Sequence, residues 1–377
     1  MFVNWGAYAA GVWWSAARRP FLNRQPHGRP CFGLFGLALT GGDHASNPSV
    51  NLILVHMNQP LWIPRNPTQC HRREFLRQAA VGVTATALGA TGLSSNAAPL
   101  DKMPMIRLGR YQVSRLIVGS NPILGYSHVS SVMDRLMMDY YTLERIQDLL
   151  SGCLEAGLNT WQTSAHEKVD RSLVTLRDSG RDIQWIFLAS SPHLEDPKAL
   201  KEIILRNQPI AIVHHGGVSD RLWREGKIEQ AHDFAKRVQD LGVLAGLSAH
   251  NPAVIRHAEE KGWNLDFYMT CFYRVSRTPE EIQTELKGMP LGELFLANDP
   301  PKMCEVIRQV KRPCLGYKIL AAGRNCGQPG DVERAFEFAF RNIKPSDAVI
   351  VGMFPRYRNE PAEDAAYTRR FAPLSTE

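Results

Sequence analysis

Eight short runs of apolar and β-branched residues alternate with longer segments of helical periodicity from residue 105 onwards. Such alternation is typical of repeated strand–helix units, in which successive strands lie parallel. The predicted strands cover residues 116–119, 160–163, 185–189, 210–214, 244–248, 266–271, 314–319 and 348–352. Eight such units in about 280 residues predict a (β/α)8 TIM barrel.

Amphipathic segments separate these strands. The segment 143–156 places its apolar residues on one stripe, and Gly157 ends it. Further helices are predicted at 197–205, 228–241, 252–261, 301–310 and 332–343. Residues 106–108 and 112–114 predict a β-hairpin ahead of the barrel. A doubly wound sheet is the alternative fold, but it usually carries a glycine-rich phosphate turn after its first strand, and no GxGxxG occurs there.

The positive charge of the chain is concentrated at its N-terminal end. The 377 residues carry a formal net charge of +7, and residues 1–97 hold eight arginines against two acidic residues, which leaves +1 for residues 98–377. A nearly neutral body argues against a nucleic-acid-binding domain. No apolar run approaches the about 18–20 residues of a membrane span.

The leader divides at Met57. Residues 1–56 show no sustained period, and we interpret them as a non-structural upstream extension, with translation starting at Met57 rather than Met1. Residues 57–98 resemble a twin-arginine export signal: Arg72-Arg73, an apolar run at 79–93 and small residues where a signal peptidase cuts. This leader is expected to be disordered or helical. The resemblance implies the twin-arginine export machinery as a partner, a periplasmic location, and no membrane span after processing.

Histidines cluster where the predicted strands end. Two of the eight histidines in the body fall inside predicted helices, and the other six lie at strand ends or just after them. Those six are His128, His166, His193, His214, His215 and His250. Because TIM barrels carry their active sites on the loops after the C-terminal ends of the strands, this pattern predicts a functional mouth.

Lys318 lies at the end of the predicted strand 314–319. A lysine there is suited to Schiff-base chemistry, to proton donation, or to holding an anionic substrate, while a lysine in a structural ion pair is the alternative. A bound divalent metal is a further alternative, although no HExxH or CxxC spacing occurs. Its candidate ligands are His166, His193, His214, His250 and Cys271.

The order of segments over residues 104–370 resembles the aldo-keto reductase superfamily. The similar segments are the opening at 108–119, Gly157-Leu158-Asn159-Thr160, Ile212-Val213-His214, 246–251, 317–324 and 349–353. The resemblance implies a TIM barrel that reduces carbonyl compounds with a nicotinamide nucleotide held in an extended form, without a Rossmann motif.

The catalytic pattern departs from that family. Its members use a Tyr as general acid, tuned by a Lys and an Asp, with a His that orients the carbonyl. Of that set the resemblance retains only His214 or His215; Gln162 takes the place of the Asp. We expect His166 to replace the Tyr as proton donor and Lys318 to supply charge.

The residues that the resemblance assigns to cofactor binding are better retained than the catalytic residues. The resemblance implies that Ser248 contacts the nicotinamide carboxamide and that Arg324, Gly352 and Arg356 approach the phosphates of NADP or NAD. Ala249 replaces the Asn that follows the Ser in the family.

Residues 99–377 are therefore predicted to form an exported, aldo-keto-reductase-like barrel. Its expected activity is NAD(P)-linked oxidoreduction of a small carbonyl or sugar-like substrate by His214, His166, Lys318 and His215. Two alternatives stay open: a metal-dependent or Schiff-base hydrolase, isomerase or lyase, and a non-catalytic binding protein on the same fold.

Overall fold

The computed structural model describes residues 102–373. The predicted upstream extension 1–56, the predicted signal 57–98 and the Met57 start lie outside the described residues, so they stay predictions. None of the helices between residues 102 and 373 has the length and apolar character that crossing a membrane requires.

The chain forms a closed barrel of eight parallel strands, which confirms the predicted (β/α)8 fold. Its strands are β3 (Leu116–Gly119), β4 (Thr160–Thr163), β5 (Gln184–Ala189), β6 (Ala211–His214), β7 (Leu244–Ala249), β8 (Phe267–Cys271), β9 (Cys314–Tyr317) and β10 (Ala348–Gly352). Pairing of Val349 with Leu116 and of Gly352 with Gly119 joins the last strand to the first.

The predicted hairpin is also present. Strand β1 (Met105–Leu108) pairs antiparallel with β2 (Tyr111–Ser114). The apolar side chains of Ile106, Leu108 and Val113 are buried in the same cluster as the inward-facing residues of the barrel strands. The hairpin therefore closes the N-terminal end of the barrel, opposite the mouth.

Helices form the outer layer. They are α1 (Ser131–Tyr140), α2 (Leu143–Glu155), α3 (Glu167–Asp178), α4 (Pro197–Asn207), α5 (Gly216–Arg224), α6 (Glu229–Asp240), α7 (Pro252–Glu260), α8 (Pro279–Leu286), α9 (Asp299–Gln309), α10 (Asp331–Asn342) and α11 (Glu360–Phe371), with a 3-10 helix at Ala321–Cys326.

Five of these helices, α1, α3, α5, α8 and α11, were not predicted from the sequence. Helices α1 and α8 bury none of their side chains, so they lack the apolar stripe that reveals a helix. Helix α5 opens on Gly216-Gly217, and glycine is a poor helix former.

The alternating direction of the side chains along each strand produces two apolar cores, one inside the barrel and one between the sheet and the helices. On β6, Ala211 and Val213 belong to the cluster inside the barrel, whereas Ile212 belongs to the cluster between sheet and helices. On β9, Leu315 and Tyr317 face inward. Because successive side chains point to opposite faces, this parity decides which residues at the strand ends can reach the mouth.

Candidate functional site

A chain of hydrogen bonds crosses the barrel mouth. Lys318, which directly follows β9, donates from Nζ to Nε2 of His128 at 2.8 Å. The other ring nitrogen of His128, Nδ1, lies 2.9 Å from Oε1 of Glu293. Since Nε2 accepts the lysine proton, Nδ1 carries the hydrogen and donates it to the carboxylate. We call this arrangement the Lys318–His128–Glu293 relay.

Both Lys318 and His128 have left-handed backbone conformations, with φ of 61° and 58°. Such conformations cost a non-glycine residue roughly 1–2 kcal/mol each. The left-handed turn ends β9 at Tyr317, so the predicted strand 314–319 was too long. It also directs the lysine toward the loop after β3, where His128 lies.

Neighbouring side chains fix His128 and set the charges of the relay. Nδ2 of Asn121 lies 3.1 Å from the same Nε2 of His128, and Arg324 donates from Nη2 to the His128 carbonyl at 3.2 Å. Burial lowers the pKa of Lys318, and Arg324 acts in the same direction. Burial favours the neutral acid of Glu293, but the hydrogen bond from His128, the charge of that ring when it is protonated, and the charge of Lys318 outweigh burial and lower the pKa of the carboxyl.

A second polar pair lies after β7. His250 donates from Nδ1 to Oδ2 of Asp220 at 2.8 Å, and the backbone N–H groups of His250 and Asn251 donate to the same carboxylate. Burial alone would raise the pKa of Asp220, but these hydrogen bonds lower it overall. Asp220 therefore stays ionised and holds the His250 ring with Nε2 as its free nitrogen.

Tyr317 forms the floor beneath these groups. Its hydroxyl lies 3.2 Å from Oγ of Ser248, and its ring meets the ring of His250 edge-on at 5.7 Å between centroids. Cys271, at the inward-facing end of β8, is fully buried, and burial raises the pKa of its thiol to about 12. The thiol is thus neutral, which argues against a thiolate nucleophile here.

His215 lies at the mouth as the N-cap of α5, where its Nδ1 accepts from the N–H of Gly217 at 3.2 Å. Burial, followed by the charges of His250 and Lys318, lowers the pKa of His215 to about 4. The ring is neutral at pH 7 and is suited to hydrogen bonding in the mouth.

The position of His214 does not suit the catalytic role predicted for it. Its ring faces the helical layer, packs edge-on against Phe234 of α6 at 5.5 Å, and lies 2.8 Å from Oγ of Ser219. It is 3% exposed. Side chains alternate in direction along β6, so that of His214 points away from the mouth and that of the next residue, His215, points toward it.

The other two predicted histidines lie apart from the relay. His166 is exposed and caps α3 by accepting from the N–H of Lys168 at 3.0 Å. His193 packs edge-on against Phe187, which belongs to the outer core. Of the six predicted mouth histidines, the structure brings His128, His215 and His250 toward one site.

The alternative metal site is not assembled. Within residues 102–373, no three histidine, cysteine, aspartate or glutamate side chains are grouped so as to hold a metal ion. In the predicted set, His214 faces outward and Cys271 faces inward on a different strand.

One layer of the mouth contains an unsatisfied buried amide. Gln162 pairs with Gly119, and Gly119 pairs with Gly352, so these three residues lie side by side at the C-terminal strand ends. Nε2 of Gln162 is buried and has no hydrogen-bond partner among the described residues. A Cβ on Gly352 would lie 2.6 Å from Cδ of Pro122. Glycine at position 352 therefore makes room for Pro122. The unsatisfied amide of Gln162 is the group in this layer that suits a bound polar group.

The predicted cofactor residues fit a nucleotide unequally. Arg324, Arg356 and Gly352 are exposed on the loops and strand ends of β9 and β10, where phosphates can reach them. Ser248 is 1% exposed beneath Tyr317, so its hydroxyl does not face the open mouth.

Two groups of this site were not singled out from the sequence. Glu293 and Asn121 lie in loops, 165 and 7 residues from His128, and neither belongs to a periodic segment. No local pattern marks such residues, since only the closed barrel brings the loops together.

Comparison with solved structures finds several barrels of low sequence identity. A glycerol dehydrogenase, AKR11B4 from Gluconobacter oxydans, is 10% identical over 73% of this chain and 98% of its own, with a TM-score of 0.42. A point mutant of Gox0644 in complex with NADPH is 9% identical over 71% and 89%, with a TM-score of 0.45. A point mutant of FabK from Thermotoga maritima is 13% identical over 63% and 60%, with a TM-score of 0.36.

No protein-family model and no curated protein matches the chain. At these identities and TM-scores, the solved structures carry no inference about substrate, cofactor or reaction.

Burial of the outward-facing His214 makes the free energy of unfolding depend on pH. Burial, followed by the charge of His215, lowers its pKa to about 3, against about 6.5 in the unfolded chain. Below pH 6.5 the unfolded chain binds the extra proton, so stability is lost as the pH falls toward 3. Between pH 7 and 5 this loss is about 2 kcal/mol. Urea unfolding of wild type and His214→Asn at both pH values checks it, because the variant should lose less; equal losses would contradict the assignment.

Proposed function

We propose that this barrel is an oxidoreductase that uses NAD(P) to interconvert a carbonyl and an alcohol on a small polar, sugar-like molecule. The observation that carries the proposal is the 2.8 Å contact of Lys318 Nζ with His128 Nε2, backed by Glu293. Carbonyl reduction requires a proton donor at the oxygen of the reacting carbonyl, and this relay offers one at the mouth.

Each member of the relay has a distinct role. The Lys318 ammonium, whose pKa burial lowers, gives a proton to the carbonyl oxygen more readily than a solvated lysine. The amine then regains a proton that enters from solvent by way of the imidazolium form of His128, which Glu293 stabilises. Glu293 is 42% exposed, so the relay reaches solvent. In the direction of oxidation the proton moves the opposite way.

The floor of the mouth positions the substrate. His250 presents Nε2 because Asp220 holds its other nitrogen, and it can accept a hydrogen bond from a substrate hydroxyl. The neutral ring of His215 provides a second polar contact. We assign both to substrate orientation rather than to proton donation.

A nicotinamide nucleotide supplies or accepts the hydride when bound. Arg324 and Arg356 are suited to its phosphates, and Nε2 of Gln162, unpartnered among the described residues, is a further hydrogen-bond donor at the strand ends. This assignment keeps Lys318, His215, Arg324, Gly352 and Arg356 from the sequence prediction, adds His128 and Glu293 to the catalytic set, and omits His214, His166 and Ser248.

Replacing Lys318 by Met should lower turnover at least about 100-fold, because general-acid assistance is lost, while NADPH affinity changes little. The measurement is quenching of protein fluorescence by NADPH and NADH, followed by NADPH oxidation with a panel of aldehydes, 2-oxo acids and keto-sugars. Lys261→Met, an exposed lysine at the end of α7, is the matched control.

Failure of both nucleotides to bind at millimolar concentration would contradict the proposal. If borohydride then trapped a carbonyl compound on Lys318, the Schiff-base alternative, which the lowered pKa of that lysine also suits, would replace it.

Export to the periplasm through the twin-arginine machinery is a separate part of the proposal, supported by Arg72-Arg73 and the small residues at 95–98. We expect fractionated cells to hold a shortened chain in the periplasm, and the double substitution Arg72→Lys, Arg73→Lys to keep it in the cytoplasm. An uncleaved wild-type chain in the cytoplasm would contradict export.

A further inference from the structure

A cavity of about 290 Å³ lies beside the mouth, between the ends of β7 and β8 and the helices α7 and α9. His250 and Cys271 line it toward the mouth, and Arg256, Lys302 and Glu305 line it toward the surface. We propose that this cavity binds an oxyanion, a carboxylate or a phosphate ester, on the molecule whose carbonyl reacts at Lys318. The inference rests on the proposed function and names its substrate class.

Most charges around the cavity neutralise one another. Arg277 contacts both carboxylate oxygens of Asp299, at 2.6 and 2.9 Å, and pairs with Glu285 at 2.8 Å. Arg274 pairs with Glu281. These pairs build the wall, in which two arginines face three carboxylates, so neither arginine has a free charge for a ligand.

Two cationic side chains that line the cavity have no partner among the described residues. Arg256 on α7 and Lys302 on α9 are exposed, and among the described residues neither side chain makes a hydrogen bond or an ion pair. Nε of Arg274 is buried and also has no hydrogen-bond partner there. Against these stands one lining carboxylate without an ion pair, Glu305, which accepts from Gln309 at 3.4 Å. The unpaired side chains at this edge of the cavity thus carry two positive charges against one negative charge, and it is this edge that favours an anion.

The helices reinforce that preference. Helix α7 begins at Pro252 and α9 at Asp299, and both N-terminal ends line the cavity. A helix N-terminus carries a partial positive charge, which stabilises a nearby anion. The cavity is at the lower limit of small-molecule sites, so it suits one end of a ligand rather than a whole nucleotide.

The cavity and the catalytic floor share two residues. His250 borders the cavity and also touches Tyr317 of the floor, and the charge of Lys318 acts on Cys271. A molecule whose anionic end lies between Arg256 and Lys302 thus extends past His250 toward the relay. Sugar acids and sugar phosphates have this form: an oxyanion, several hydroxyls and a carbonyl or oxidisable alcohol.

The test is isothermal titration calorimetry of the full chain with inorganic phosphate and with D-gluconate, without any nucleotide. We expect saturable binding of at least one probe. The double substitution Arg256→Gln, Lys302→Gln should weaken it about tenfold or more, because two charge-assisted contacts are lost. Glu305→Gln should tighten it about threefold, since a like charge is removed. Lys261→Gln, at the end of the same helix and away from the cavity, should change nothing.

Opposite effects of the cationic and acidic substitutions would not arise from a general loss of structure. Absence of saturable binding by both probes, or equal affinities across all variants, would overturn the proposal. Weaker NADPH binding in the double variant, with NADH binding and probe binding unchanged, would reassign the cavity to the cofactor phosphate and also overturn it. Because the probes are titrated without nucleotide or turnover, this result is independent of whether the oxidoreductase proposal fails.

Discussion

Hydrogen bonding between β10 and β3 closes the sheet, and in a closed sheet each side chain points either into the barrel or toward the helices. The interior fills with residues such as Val213, Leu315 and Tyr317, which leaves little room for polar groups below the rim. Chemistry is thereby confined to the last inward residue of each strand and to the loops that follow it.

This constraint explains why neighbouring residues differ so much. His214 and His215 are adjacent, yet one is packed against Phe234 in the outer core and the other caps α5 at the mouth. Burial lowers the pKa of both, to about 3 and about 4, so neither carries charge at neutral pH. Charge at the mouth comes instead from Lys318, Glu293 and Asp220, held by partners on other strands or loops.

The sequence predicts the barrel well because strand periodicity is a local property. All eight strands were placed within a few residues of their observed bounds. Helix α1 was missed because it buries none of its side chains and so lacks the periodic apolar stripe on which helix prediction depends. The site was harder to predict, since the contact of Lys318 with His128 joins residues 190 apart in the chain. Its geometry also depends on two left-handed residues, and no residue type forces that conformation there.

A desolvated Lys318, backed by His128 and Glu293, is the proton donor that we propose for the site. NMR of protein labelled with ¹⁵N at the lysine Nζ tests it directly, with the Lys318 signal assigned by its loss in Lys318→Met. We expect the pKa of Lys318 to lie below the about 10.4 of a free lysine side chain. Glu293→Gln should lower this pKa further, because a nearby negative charge is removed. Titration of Lys318 at the ordinary value, unchanged by Glu293→Gln, would contradict the account.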